Sequence, residues 1–242
     1  MCAVVPTYNE RQNVVRLVEE VRKWAPPDLV IIFVDDNSPD GTGDEVRKVA
    51  SRDAAVRLLT RESKKGIGTA YQDGFKDAIS AVVPDIVIEM DADLQHPPSA
   101  IMDLVGACEA GADVAVGSRY ISGGGISGWG LRRRTVSKGA NFYARTLLGI
   151  RVRDATSGFR AYNRKTAEKV ATASLPAKGF EFQVASLDLL RGSKITEVPY
   201  TFSARKAGRS KLGTGDMVRF FFSVLRIALR RSSVEETRRQ AP

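Results

Sequence analysis

Asp91 and Asp93 stand two residues apart in Glu89-Met90-Asp91-Ala92-Asp93-Leu94-Gln95, and the amide of Gln95 follows two residues later. Two carboxylates and an amide oxygen are donors for a hard cation, Mg²⁺ or Mn²⁺, usually one shared with substrate phosphates. In extended chain, side chains at i and i+2 point the same way, so the three are expected to face one ligand. Taken alone, Asp-x-Asp is equally a solvated acidic turn. A second acidic stretch is Asp35-Asp36-Asn37-Ser38-Pro39-Asp40-Gly41-Thr42, rich in turn formers. Lys64-Lys65-Gly66-Ile67-Gly68-Thr69-Ala70 opens a helix, where it could hold phosphate or serve as an ordinary glycine turn. Further on the chemistry becomes basic. Arg132-Arg133-Arg134 follows a glycine-rich loop, Ser122 to Gly130, which reads as a lid over an anion or as a mobile surface loop. Arg205-Lys206-Ala207-Gly208-Arg209-Ser210-Lys211-Leu212-Gly213 offers arginines for bidentate phosphate contact and lysines as point charges.

The apolar pattern supplies the elements that must hold these groups. Residues 2–5, Leu29 to Val34, Val56 to Thr60, Ile86 to Ile88 and Asp113 to Gly117 read as strands, the apolar runs being those of a sheet covered on both faces. Helices fall between them: Val14, Leu17, Val18, Val21 and Trp24 recur at helical spacing, and further helices are expected up to about Ala81 and from Pro98 to about Glu109. This alternation predicts a parallel, doubly wound sheet. Both acidic stretches then lie at the carboxyl ends of strands, where open α/β sheets bind ligands. A helix from Arg132 to about Leu148 follows, then a strand from Ile195 to Phe202, placed near the edge because Pro199 lacks a donor. The last predicted helix, Asp216 to Arg231 with Asp216 as N-cap, carries Arg219, Ser223, Arg226 and Arg230 as a polar stripe among apolar residues. It is too short for a ~30 Å hydrocarbon core and fits an interfacial helix, a core helix or a dimer contact.

Charge divides the chain. Residues 1–118 hold 12 Lys/Arg against 20 Asp/Glu, while residues 119–242 hold 25 against 8. The acidic half carries the candidate cation site, and the basic half is expected to meet an anion: nucleic acid, an anionic membrane or a phosphorylated acceptor. No nucleic-acid motif occurs, and aromatics are not interleaved with the basic loops. At 43% hydrophobic residues the chain can build a large core. Cys2 and Cys108 have no metal-ligand spacing, so a reducing compartment is expected. The start of the chain reads as a strand rather than a signal peptide, and no apolar run of about 18 residues predicts a membrane span.

The ordered motifs carry a resemblance: Pro6-Thr7-Tyr8-Asn9-Glu10, the stretch from Asp35 to Thr42, Gly66-Ile67-Gly68-Thr69-Ala70-Tyr71, Met90 to Gln95, Gly117-Ser118-Arg119-Tyr120, Ser157-Gly158-Phe159-Arg160 and Ser210-Lys211-Leu212-Gly213. From Val4 to about Phe222 the chain resembles the polyprenol-phosphate (dolichol-phosphate) mannose synthases of glycosyltransferase family 2. The resemblance implies a GT-A, Rossmann-like α/β fold, with a mostly parallel sheet flanked by helices and a C-terminal amphipathic helix. The expected organisation is one domain over residues 1–231, comprising a donor and metal half (1–118), an acceptor half (119–215) and an interfacial helix (216–231), then a disordered tail (232–242).

The implied activity is metal-dependent, inverting transfer of mannose from GDP-mannose to a polyprenyl or dolichyl phosphate, with UDP-glucose as the rival donor and a plain anion-binding module as the rival class. Pro6, Tyr8, Glu10, Val34 and Asp36 would hold the nucleoside, and Asp91, Ala92 and Asp93 the diphosphate. Asp93 and Gln95 would hold Mg²⁺ or Mn²⁺. Ser118, Arg119 and Arg133 would hold the acceptor phosphate, and Arg205 and Lys211 the diphosphate. Asp91, Asp93 and Arg119 would be the catalytic set. The implied setting is cytoplasmic and peripheral, on the cytosolic face of a membrane, with a separate membrane-anchoring subunit left open.

Overall fold

A computed structural model describes residues 1–203 and 214–240. Its centre is a seven-stranded sheet. The strands are β1 (Cys2–Thr7), β2 (Val30–Asp35), β3 (Val56–Thr60), β4 (Ile86–Glu89), β5 (Val114–Ser118), β7 (Arg160–Asn163) and β8 (Ile195–Pro199). Their spatial order is β3-β2-β1-β4-β7-β5-β8. All neighbours run parallel except β7, which is antiparallel to both β4 and β5. A small pair, β6 (Gly125–Ile126) with β9 (Thr201–Phe202), ties the glycine-rich loop to the chain after β8. β8 lies at the edge of the sheet, as the proline in it requires.

The alternation of side chains along β1 divides the core in two. Cys2 and Val4 enter one apolar cluster; Ala3 and Val5 enter the other, on the opposite face. The second cluster is closed by α1 (Arg11–Trp24), α2 (Thr42–Ala50) and α4 (Ile101–Glu109). The first is closed by α3 (Ile67–Asp77), α5 (Leu131–Leu148), α6 (Arg164–Thr172), α7 (Phe182–Leu189) and α8 (Thr214–Gln240). α3 passes very close to the sheet: a Cβ on Gly74 would lie 2.3 Å from a methyl of Val4. Only glycine lets the helix approach that far.

Three expectations change at this level. β7 was not predicted as a strand; it is four residues long and carries the fully buried Arg160, so it lacks an apolar pattern. The α3 glycines face protein rather than an open anion site: Gly68 N–H donates to the Lys178 carbonyl at 2.8 Å, and a Cβ on Gly66 would overlap that oxygen. α8 begins at Thr214 and runs 27 residues to Gln240. Asp216 therefore lies inside its first turn and is not the N-cap. Residues 232–240, expected as a disordered tail, continue the helix, since Glu, Arg and Gln are good helix formers. No helix among the described residues is long and apolar enough to cross a membrane.

Candidate active site

The loops after β1, β2 and β4 share one edge of the sheet, because Thr7 pairs with Asp35 and Val4 with Glu89 across the parallel ladders. Asn9, Asn37 and Leu94, one in each loop, have positive φ, a conformation that holds tight turns at the site. Asp35 organises the first two loops: it accepts from Thr7 Oγ1 at 3.0 Å, Ser38 N–H at 2.9 Å and Ser38 Oγ at 2.5 Å. Tyr8 lies under the Lys64 ammonium, 4.3 Å from its ring centre. Glu10 is buried and accepts from Asn13 Nδ2 at 2.7 Å. Asp36 forms an ion pair with buried Arg61 at 2.9 Å, and Arg61 reaches Asp73 at 3.2 Å. Burial raises the Asp36 carboxyl, against the lowering effect of Arg61. Val34 and Ala92, expected at the nucleotide, have side chains in the core, so only their backbone can turn to a ligand.

The acidic turn differs from the extended chain that the sequence suggested. β4 ends at Glu89, and Leu94 takes the left-handed conformation, so residues 91–96 fold back on themselves. Asp91 is partly exposed and accepts from Tyr71 Oη at 3.1 Å. Its N–H donates to His96 Nδ1 at 3.0 Å. Burial pushes His96 down to about 4, which keeps that nitrogen an acceptor at neutral pH. Asp93 is buried, not exposed, and its Oδ1 accepts from Gln95 N–H at 3.0 Å. Gln95 Nε2 donates to the Ser203 carbonyl at 3.0 Å, which leaves its oxygen as the end suited to a cation.

Among the described residues no group of three or more His, Cys, Asp or Glu gathers to cage a metal. One or two carboxylates at a strand end suit instead a cation that completes its shell with diphosphate oxygens. The donor set present, the Asp93 carboxylate and the Gln95 amide oxygen, is of the chemical kind such a cation takes. Arg205 and Lys211 lie outside the described residues, although Ser203, just before them, is fixed to Gln95 at both ends of that residue.

Across the site, β5 delivers Ser118 and Arg119. Ser118 is fully buried, with its hydroxyl accepting from Tyr120 N–H at 3.4 Å. Arg119 makes two 2.7 Å hydrogen bonds to Asp154 and one of 3.0 Å to Thr156 Oγ1. Burial opposes its charge, but the Asp154 carboxylate outweighs that and holds the guanidinium protonated. Phe202 and Trp129 flank Arg119 at 5.4 and 5.7 Å. Phe202 in turn packs edge-on against His96, so one aromatic cluster joins the acidic turn to the arginine. Arg133 is exposed and stacks over Trp129 at 4.0 Å. Asp154, His96 and Tyr71 had no assigned roles; Tyr71 stands inside a quoted motif, but its partner is 20 residues away, and Asp154 meets Arg119 across 35 residues.

Residues 2–171 match the model of glycosyl transferase family 2. The chain belongs to that family. It is 40% identical over 233 residues to a polyprenol monophosphomannose synthase of Mycolicibacterium smegmatis, covering 94% of this chain and 86% of the relative. Its fold is similar to that of glucosyl-3-phosphoglycerate synthase from Mycobacterium tuberculosis in complex with Mn²⁺, UDP and glucosyl-3-phosphoglycerate, at TM-score 0.66 and 20% identity, over 95% of this chain and 78% of that one. A mannosyltransferase from Pyrobaculum calidifontis in complex with GDP-Man and Mn²⁺ gives TM-score 0.58 and 17% identity, over 86% and 57%. This glycosyltransferase thus has a GT-A-like sheet, with its acidic turn and its buried arginine on the edge where the family's chemistry is expected.

Proposed function

We propose that the enzyme transfers mannose from GDP-mannose to a polyprenyl monophosphate with inversion at the sugar. The observation that carries this reading is the likeness, over nearly the whole chain, to the mycobacterial polyprenol monophosphomannose synthase. The loops after β1 and β2 would take the nucleoside, through Tyr8, Glu10, Asp36 and the backbone of Pro6 and Val34. Asp91 and the backbone of Ala92 would orient the diphosphate, and Asp93 and Gln95 would hold the divalent cation. When bound, the cation neutralises the leaving diphosphate as a Lewis acid.

A polyprenyl phosphate is already an anion near neutral pH, so no side chain need remove a proton from it. Its oxygen attacks C1; the bond from C1 to the diphosphate breaks, and its electron pair leaves with GDP. What the protein supplies is position and charge complementarity. The Nη1 of Arg119 is the donor left by Asp154 and Thr156, and with Arg133 it would meet the acceptor phosphate.

The lipid acceptor brings the enzyme to a membrane surface, on the cytosolic side where sugar nucleotides are made. α8 suits this: Val224 and Ile227 anchor it in the core, while Met217, Val218, Phe221, Phe222 and Leu229 are exposed among Arg219, Arg226 and Arg230. Phe221 is stacked on Tyr143 of α5 at 4.5 Å, so the two helices share one apolar face. Transfer from radiolabelled GDP-mannose and UDP-glucose to a polyprenyl phosphate, with Mg²⁺, Mn²⁺ or chelator, tests the reading. Transfer of glucose in preference to mannose would overturn the donor assignment, and full activity in chelator would overturn the cation.

A further inference from the structure

Three successive backbone N–H groups in the turn from β1 into α1 are taken by side chains of the next loop. Asn9 donates to Ser38 Oγ at 3.0 Å, Glu10 to Thr42 Oγ1 at 3.0 Å and Arg11 to Asp40 Oδ2 at 3.2 Å. Thr42 is fully buried, and its hydroxyl proton goes to Asp40 Oδ1 at 2.5 Å, so its oxygen is left to accept from Glu10. The donors at the start of α1 are thus met from the next loop, and the Glu10 side chain takes no part in capping the helix. Glu10 is itself fixed at three points. Thr42 holds its N–H, its carbonyl accepts the Asn13 N–H at 2.8 Å, and its carboxylate accepts from Asn13 Nδ2 at 2.7 Å. Asn13 and Glu10 are both buried, at 4% and 8% exposure. Burying a carboxylate is costly unless donors meet its oxygens, so a carboxylate held in this way is an acceptor prepared for a ligand that brings donors.

We infer that Asn13 is a positioning residue for recognition of the nucleobase: it aims the Glu10 carboxylate at the base, while Thr42 and Asp40 hold the Glu10 backbone from the neighbouring loop. This rests on the donor reading of the proposed function and names the residues that make that site selective. A carboxylate only accepts hydrogen bonds. Guanine offers it two adjacent donors, the ring N1–H and the 2-amino group. Uracil offers one N–H flanked by carbonyl oxygens, which a carboxylate repels. A site built around a buried acceptor rejects a base that lacks the matching donor, because the acceptor is then left unmet. That rejection requires the carboxylate to stay in place; one free to rotate finds water or another donor, and the discrimination fades. Asn13 supplies the restraint, acting through Glu10 rather than on the base.

The test is calorimetric titration of the full chain, in Mn²⁺, with GDP, with inosine diphosphate, which lacks only the 2-amino group, and with UDP. Wild type is expected to bind GDP at least about tenfold more tightly than inosine diphosphate, the scale of one charge-assisted hydrogen bond. Asn13→Ala is expected to weaken GDP binding about tenfold and to bring the ratio of the two affinities down towards one. In transfer assays the same variant should raise the KM for GDP-mannose, with kcat and the acceptor KM little changed, a split that a general loosening of the fold does not give. An unchanged ratio in Asn13→Ala, or equal binding of GDP and inosine diphosphate by wild type, would overturn the inference. If Asn13→Ala melts early, Thr42→Val and Thr42→Ser decide the matter. The inference requires the valine variant, without the hydroxyl, to lose the ratio and the serine variant to keep it; a valine variant with the wild-type ratio would overturn it. Preference of wild type for UDP over GDP would overturn the donor reading itself and the nucleobase assignment with it, whereas a GDP preference insensitive to Asn13 overturns the inference alone.

Discussion

Arg119 and Asp154 are joined by two parallel hydrogen bonds of 2.7 Å, and Asp154 also accepts the Arg119 backbone N–H at 2.9 Å. Removing one partner of a buried pair leaves an uncompensated charge, which costs about 3–5 kcal/mol. Asp154→Ala is therefore expected to lower the melting temperature markedly and to reduce kcat/KM for the lipid acceptor. Arg119→Lys keeps the charge but cannot make both bonds. It is expected to raise the KM for acceptor more than for sugar nucleotide; a loss confined to the nucleotide would move Arg119 to the donor site.

Asp93 is buried, so the informative substitution is the near-isosteric Asp93→Asn. It retains an acceptor for Gln95 N–H and removes the charge that a divalent cation needs. Turnover is expected to fall by roughly 100-fold or more, the scale of a lost electrostatic contact to a transition state, with little change in the melting temperature. Near-normal turnover in saturating Mg²⁺ or Mn²⁺ would remove Asp93 from the cation site.

Glu89 gives a pH signature. It is fully buried, accepting from Tyr162 Oη at 2.7 Å and from Gln183 Nε2, and its cross-strand neighbour is Arg160. Burial pushes it up to about 7, against the lowering influence of Arg160. Between its ordinary value of 4.5 and about 7, the unfolded chain has released this proton while the folded chain retains it. Stability from this group is thus full below 4.5 and declines as pH rises through 7, by up to roughly 3 kcal/mol. Melting curves of wild type and Glu89→Gln from pH 4.5 to 8 check this: relative to wild type, the variant should gain stability as pH rises. A constant difference would show that Glu89 keeps an ordinary pKa.

On α8, Val218 and Phe222 are exposed at 55% and 62%, whereas Val224 is fully buried. Val218→Ser/Phe222→Ser is expected to weaken binding to liposomes and transfer to long-chain acceptors, with the melting temperature and use of short soluble acceptors unchanged. Burying a phenylalanine contributes on the order of 2 kcal/mol, so the double change should be plain in sedimentation. Equal losses with both acceptors and early melting would make these residues part of the fold.

Strand ends and the residues beyond them were legible in sequence because they are local: an apolar run, then Asp, Asn, Pro and Gly. The parallel direction of β1, β2 and β4 followed from the alternation of strands and helices; which strands are neighbours did not. Contacts that span the chain were not legible. Arg119 finds Asp154 at a separation of 35 residues, and Gln95 finds Ser203 at 108. The alternation rule for Asp91 and Asp93 failed for a local reason, the left-handed turn at Leu94, and leucine gives no signal for that conformation. The last helix was cut short because its charged end resembles a solvated tail, although its residues are compatible with helix.

The place of β7 bears on how the molecule is made. In residues 1–118, β4 has β1 on one side, but β5 has no neighbour at all: its partners, β7 and β8, arrive only with residues 160–163 and 195–199. A nascent chain that has just completed Ser118 therefore carries an open β4 edge and a stranded apolar strand. Such edges pair readily with other chains until covered. Dividing the protein at its charge boundary would give an acidic piece lacking the strands that hold β5, so residues 1–118 are not expected to be expressible as a soluble fragment by themselves.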